Sequence, residues 1–130
     1  MLQRTDPALL KQLDAGVDLS KPSLKGLSYL LRNRDQWPEG FHWDFGYWGT
    51  CAVGLATTKW GDDANPYYNN LSYGLSDLEA VKIFTDQGPY PRETIRYLGG
   101  LIKRRGVDCD YAAVTPEMVA DQIDKHLATA

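Results

Sequence analysis

The chain has 130 residues, 43% of them hydrophobic and 24% charged, with a formal net charge of -3 and a pI of about 5.3. That length and balance fit one globular domain that can bury a core without cross-links, and they exclude a disordered chain. The acidic balance argues against nucleic acid as the main partner, and no stretch approaches the ~20 apolar residues of a membrane span.

The opening segment MLQRTDPALLKQLDAG carries charges where a signal peptide would carry its apolar run, so a cytoplasmic setting is expected. Asp6 and Pro7 suit the N-cap and first position of a helix, Leu9, Leu10 and Leu13 give it an apolar side, and Gly16 ends it. A second helix begins near Ser20-Lys21-Pro22-Ser23. Leu24, Leu27, Leu30 and Leu31 recur along it at helical spacing, and Arg32 and Arg34 suit its negative end. Pro38 and Gly40 stop further helix.

The middle of the chain is its most distinctive part. Ten of the fifteen aromatic residues fall between Trp37 and Tyr73, and between positions 39 and 80 six carboxylates face one cation, Lys59. Residues 37–49 read as an aromatic loop. The run from Cys51 to Trp60 reads as a helix without a polar face, with Thr50 as N-cap and Gly61 as stop, and such a helix belongs in a core. Asp62 to Asn70 is a polar loop. It resembles a calcium loop only superficially, because no glycine holds its sixth position and its twelfth residue is Tyr73, not Glu. No metal site or cofactor is expected.

Ser76-Asp77-Leu78-Glu79 is a capping box, followed by Leu78, Val81 and Phe84 on one face. Gly88-Pro89-Tyr90-Pro91 separates that helix from another, over Arg92 to Arg105, with Ile95, Leu98 and Ile102 as core stripe and a costly Gly99-Gly100 inside. Its Arg and Lys residues make it the one basic element. Thr115-Pro116-Glu117 opens the last helix, where Val119, Ile123 and Leu127 face the core. No alternating strand pattern is read. These six segments predict an all-α, single-domain bundle of about six helices around the central apolar helix, 51–60.

Two functional readings arise. In the first, the aromatic and acidic middle is a surface for a protein partner or a second copy of the chain, because Trp and Tyr anchor interfaces. Its residues are Trp43, Tyr47, Trp48, Tyr67, Tyr68 and Tyr73. Trp43, Tyr47 and Trp48 are expected to be buried near the helix cap, and the three tyrosines of the polar loop exposed. In the second, Cys51 is the nucleophile of a hydrolase, since a cysteine at a helix start gains thiolate character. It would need a proton acceptor, His42 or His126, and nothing in the spacing brings either to it. The two cysteines, Cys51 and Cys109, do not form a disulfide framework, and no bridge is expected.

The box Thr50-Cys51-Ala52-Val53-Gly54-Leu55-Ala56, with Gly74-Leu75-Ser76, Glu79-Ala80, Phe84 and Thr115-Pro116-Glu117, resembles small uncharacterised bacterial helical proteins with a T-C-A-x-G-x-A box. The resemblance covers about half the chain. It implies an all-helical fold, and it carries over no activity and no catalytic residue.

Overall fold

The computed structural model describes residues 16–93, 97–98, 101–102 and 108–129. Four α-helices lie among them: α1 (Leu24–Arg32), α2 (Ala52–Trp60), α3 (Asp77–Phe84) and α4 (Pro116–Thr129). The helix expected before Gly16 lies outside the described residues.

α1 starts where Ser23 accepts the Gly26 N–H at 2.9 Å, and its leucines at helical spacing are all buried. They meet Val119, Ala120 and Ile123 of α4, and α1 with α4 is the principal helix pair among the described residues. Each leucine fully withdrawn from water contributes roughly 2 kcal/mol. A polar link crosses the same interface: the buried Ser28 hydroxyl donates to Asp124 Oδ1, and Arg32 Nε lies 3.9 Å from Asp124 Oδ2. α4 is opened by Thr115, whose Oγ1 accepts the Met118 N–H at 3.2 Å. Leu127, expected in the core, lies in the last turn and is partly exposed.

α2 is not the hub that its composition predicts. Its first half, Ala52 to Ala56, is buried, whereas Thr58 and Lys59 are exposed and Trp60 is half-buried. The polar residues turn the second half outward, and the Trp60 indole ties it down by donating to the Leu19 carbonyl at 2.8 Å. Cys51, not Thr50, is the N-cap residue. The Thr50 hydroxyl faces the preceding turn and donates to the Asp44 carbonyl at 3.0 Å.

α3 has the expected reciprocal capping box of Ser76 and Glu79. Phe84 is buried as expected, but its companions are Ala80 and Ile83, while Leu78 is exposed and Val81 half-buried, so the stripe is rotated from the one predicted.

The helix expected over Arg92 to Arg105 is replaced, where described, by paired extended chain. Strands β1 (Tyr97–Leu98) and β2 (Leu101–Ile102) are antiparallel, with Tyr97 opposite Ile102 and Leu98 opposite Leu101. An antiparallel bridge pairs Arg92 with Cys109, and the Glu93 N–H donates to the Asp108 carbonyl at 2.8 Å. Two glycines between apolar pairs are a hairpin signal. Pro91 also holds the residue before it out of the α region. Arg96, Lys103, Arg104 and Arg105 lie outside the described residues.

Candidate functional site

Asp44 to Thr50 form a closed turn. The Asp44 N–H donates to the Thr50 carbonyl at 2.9 Å, the Gly46 N–H to Asp44 Oδ1 at 2.9 Å, and the Thr50 and Cys51 N–H groups to the Tyr47 carbonyl at 3.1 and 3.0 Å. The turn lies directly on α2. A methyl group at Gly54 would come within 2.2 Å of the Gly49 carbonyl carbon and 2.7 Å of the Trp48 carbonyl oxygen. Only a glycine there lets the two backbones approach so closely.

In the chain leading into the turn, burial alternates, with every second side chain turned inward. Phe41, Trp43 and Phe45 pack with Trp37 in a ladder of ring contacts, and Phe45 meets Tyr90 at 5.0 Å and Tyr111 at 6.1 Å. His42 and Asp44, between them, are exposed. Three indoles serve as ties: Trp37 donates to the Leu30 carbonyl at 2.7 Å, Trp43 to Val114 at 2.8 Å and Trp60 to Leu19 at 2.8 Å.

Trp48 is presented outward instead. It is 53% exposed, and Tyr47 beside it is 68% exposed. Both were expected to be buried. The turn reverses the chain at these residues, so their backbones are held while their side chains have nowhere inward to go.

The polar loop makes the opposite correction. Tyr73 was expected to be exposed and is only 8% exposed; its hydroxyl donates to the Ala64 carbonyl at 2.6 Å, and burial pushes its phenol up to about 12. Tyr67, also expected to be exposed, is half-buried against the core, whereas Tyr68 is 75% exposed. Asn65 Oδ1 accepts the N–H groups of both, at 2.8 and 3.1 Å. The two loops meet: the Trp48 and Tyr67 rings are 5.1 Å apart and Tyr67 and Tyr68 5.7 Å apart. Trp48, Tyr67 and Tyr68 thus form one aromatic run.

Beneath the turn lies a cavity of about 160 Å³, lined among others by Tyr47, Trp48, Cys51, Phe84, Asp86 and Tyr111. The Tyr111 hydroxyl donates to Asp86 Oδ2 at 2.5 Å, and that bond, more than burial, raises its phenol to about 12. Sequence reasoning missed Asp86 and Tyr111. They stand 25 residues apart, and only the fold brings them together.

Cys51 lies on the cavity floor and is 2% exposed, its Sγ donating to the Trp48 carbonyl at 3.7 Å. Burial raises its thiol above the ordinary value, against the amides of Gly54 and Val53, and the charge of Asp44 adds to the rise. The expected thiolate bias of the helix start is overcome. Neither histidine hydrogen-bonds to Cys51 among the described residues. His126 Nδ1 is 2.8 Å from Glu79 Oε2, and His42 is exposed. Cys51 and Cys109 are both free and buried. Among the described residues no group of three or more His, Cys, Asp or Glu side chains could hold a metal ion, and no helix is long and apolar enough to cross a membrane.

No protein family, curated protein or solved structure matches this chain.

Proposed function

We propose that this chain is a non-catalytic, cytoplasmic binding protein, of accessory, regulatory or immunity type, that docks a protein partner through its aromatic and acidic surface. The observation that carries this reading is the aromatic run in which exposed Trp48 and Tyr68 are joined through half-buried Tyr67, drawn from two separate loops and flanked by exposed Tyr47. Large aromatic side chains lose little conformational entropy on docking and dominate hot spots. Asp44, Asp62 and Asp63 are exposed on the same two loops and would form a polar rim. Trp43 and Tyr73 belong to the support beneath the surface, since each spends its polar hydrogen on a backbone carbonyl. The resemblance to small bacterial helical proteins fits this role and adds no activity to it.

The double variant Tyr67→Ala with Tyr68→Ala tests the reading. Loss of a hot-spot tyrosine costs about 2 kcal/mol or more of binding. The expected outcome is a folded protein that no longer captures its partner from the native host. A folded variant that keeps every partner overturns the assignment.

The alternative is a cysteine-dependent hydrolase with Cys51 as nucleophile and His42 or His126 as base. Its support is that Cys51 lines a cavity at a helix start. The raised thiol and the engagement of His126 by Glu79 weigh against it. Rapid alkylation of Cys51 at neutral pH would favour the hydrolase; an inert thiol favours the binding protein.

A further inference from the structure

We infer that the cavity under the aromatic turn is a receptor for a cationic side chain, lysine or arginine, presented by the protein partner. This rests on the binding-protein reading above and names the chemistry that the partner must bring.

Three observations converge on it. The first is composition: the exposed rings of Tyr47, Trp48 and Tyr111 line the same cavity as the Asp86 carboxylate, and no lysine or arginine lines it. Aromatic faces attract cations through their quadrupole, and most strongly where water is partly excluded. The second is the state of the carboxylate. Asp86 Oδ2 accepts the Tyr111 hydroxyl, and among the described residues Asp86 takes part in no ion pair and its Oδ1 accepts no hydrogen bond. Arg92 borders the neighbouring cleft, which Asp86 also lines, but its Nη2 donates to the Gly88 carbonyl at 3.1 Å. The third is size. A cavity of about 160 Å³ holds on the order of five waters at ~30 Å³ each, enough for an ammonium or guanidinium group and part of its stem.

The geometry gives each group a task. Tyr111, held by Asp86, fixes the carboxylate so that one oxygen is committed and the other faces an incoming donor. Trp48 and Tyr47 enclose the stem. The exposed Asp44 of the adjoining groove adds negative potential at the entrance.

The test titrates the whole isotope-labelled chain with N-acetyl-lysine methylamide, and separately with its neutral counterpart acetylated on the side-chain nitrogen. The Trp48 indole and Tyr111 resonances are followed. The expected result is saturable shifts at both residues with the cationic probe alone, weakened by salt. Asp86→Asn should weaken the cation by roughly fivefold or more and leave the melting temperature in place, and Trp48→Leu should do the same without touching the Asp86–Tyr111 bond. Equal response to the neutral probe, or no shift at Trp48 and Tyr111, overturns the inference. The Tyr67 and Tyr68 double variant separates the two claims. If that variant loses the partner while the wild-type cavity shows no preference for the cation, only the cation receptor fails. If the cavity selects the cation and the double variant still captures the partner, the protein-docking surface fails.

Discussion

The aromatic turn, residues 44–50, and the polar loop, residues 62–73, invert each other. The apolar one exposes Tyr47 and Trp48, and the polar one buries Tyr73. The difference lies in where each segment closes its backbone hydrogen bonds. In the turn the closing bonds run between Asp44, Tyr47 and Thr50, so the chain reverses in a few residues and the side chains at its tip point out. In the polar loop Asn65, Asn69 and Asn70 bond to nearby backbone, which shapes a cup around the Tyr73 ring. Short polar side chains that satisfy local backbone fix a loop as firmly as packing does. Composition is thus a poor guide to exposure in both loops, and the backbone pattern a good one.

The largest test of that contrast is a single methyl group. Gly54→Ala places a carbon 2.2 Å from the Gly49 carbonyl carbon, where backbone rather than a flexible side chain must move. It should cost about 3 kcal/mol or more and displace the turn, lowering the melting temperature and changing Trp48 fluorescence. Gly49→Ala is the control. Nothing lies within 4 Å of its added carbon, and its φ is not positive, so the shift should stay within about 0.5 kcal/mol. Equal effects at the two glycines would mean that the turn does not rest on α2.

A smaller effect is expected at Tyr73. Tyr73→Phe removes the bond to the Ala64 carbonyl and leaves that acceptor buried, at a cost of about 1–2 kcal/mol. Tyr68→Phe should change stability by no more than about 0.5 kcal/mol. The pH dependence has a definite sign. The Tyr73 phenol is raised from its ordinary 10.0 to about 12 by burial, so the stability tied to it is complete below pH 10 and lost as pH rises through about 12. An ultraviolet titration in which every tyrosine ionised near pH 10 would contradict the cup.

These results also mark what could be read in the chain. The leucine stripe of α1, the Ser76–Glu79 box and the Thr115 cap were legible because each is a local pattern with one structural solution. The Asp124 link to Ser28 and Arg32 was not, since it depends on how α1 and α4 cross. Phe41, Trp43 and Phe45 alternate with His42 and Asp44, a period-two signal that was present and overlooked beside the density of aromatics. Gly99-Gly100 reads as a cost inside a helix, and the same pair is equally a turn signal. For the candidate site, the aromatic side was visible in composition. Asp86 and Tyr111 were not, because no spacing rule links residues joined only by the fold.

Cys51→Ser should produce a smaller shift still, because two effects oppose each other. Burying a hydroxyl in place of a thiol is unfavourable. Yet Cys51 is the N-cap residue, and the amides of Val53 and Gly54 already face its side chain, which is where a serine cap finds its donors. The net change should fall within about 1 kcal/mol. Cys51→Val, which loses the acceptor and adds a carbon at a buried site, should be the more destabilising of the two. If serine proves the worse, burial outweighs capping at this helix start.

The smallest effect is at the junction of the polar loop with α3. Asn70 Nδ2 donates to the Leu75 carbonyl at 2.7 Å and to Asp77 Oδ1 at 3.0 Å, so the loop is fastened to the first turn of the helix. Glu79 completes that turn by accepting the Ser76 N–H at 2.8 Å, and it reaches His126 of α4 with its other oxygen. The backbone bond from Ser76 is the main reason its carboxyl lies below the ordinary value, with the His126 charge a lesser one. A depressed carboxyl contributes stability above its unfolded value, 4.5, and loses it as pH falls through the lower, folded one. Glu79→Gln preserves the capping geometry and removes the charge. The variant should therefore melt slightly below the parent at neutral pH, and the gap should close as both are acidified below 4.5. Melts across that range decide it. A gap that stays constant down to the lowest pH would show that Glu79 acts through shape alone, and that its charge does not help to hold the polar loop against α3.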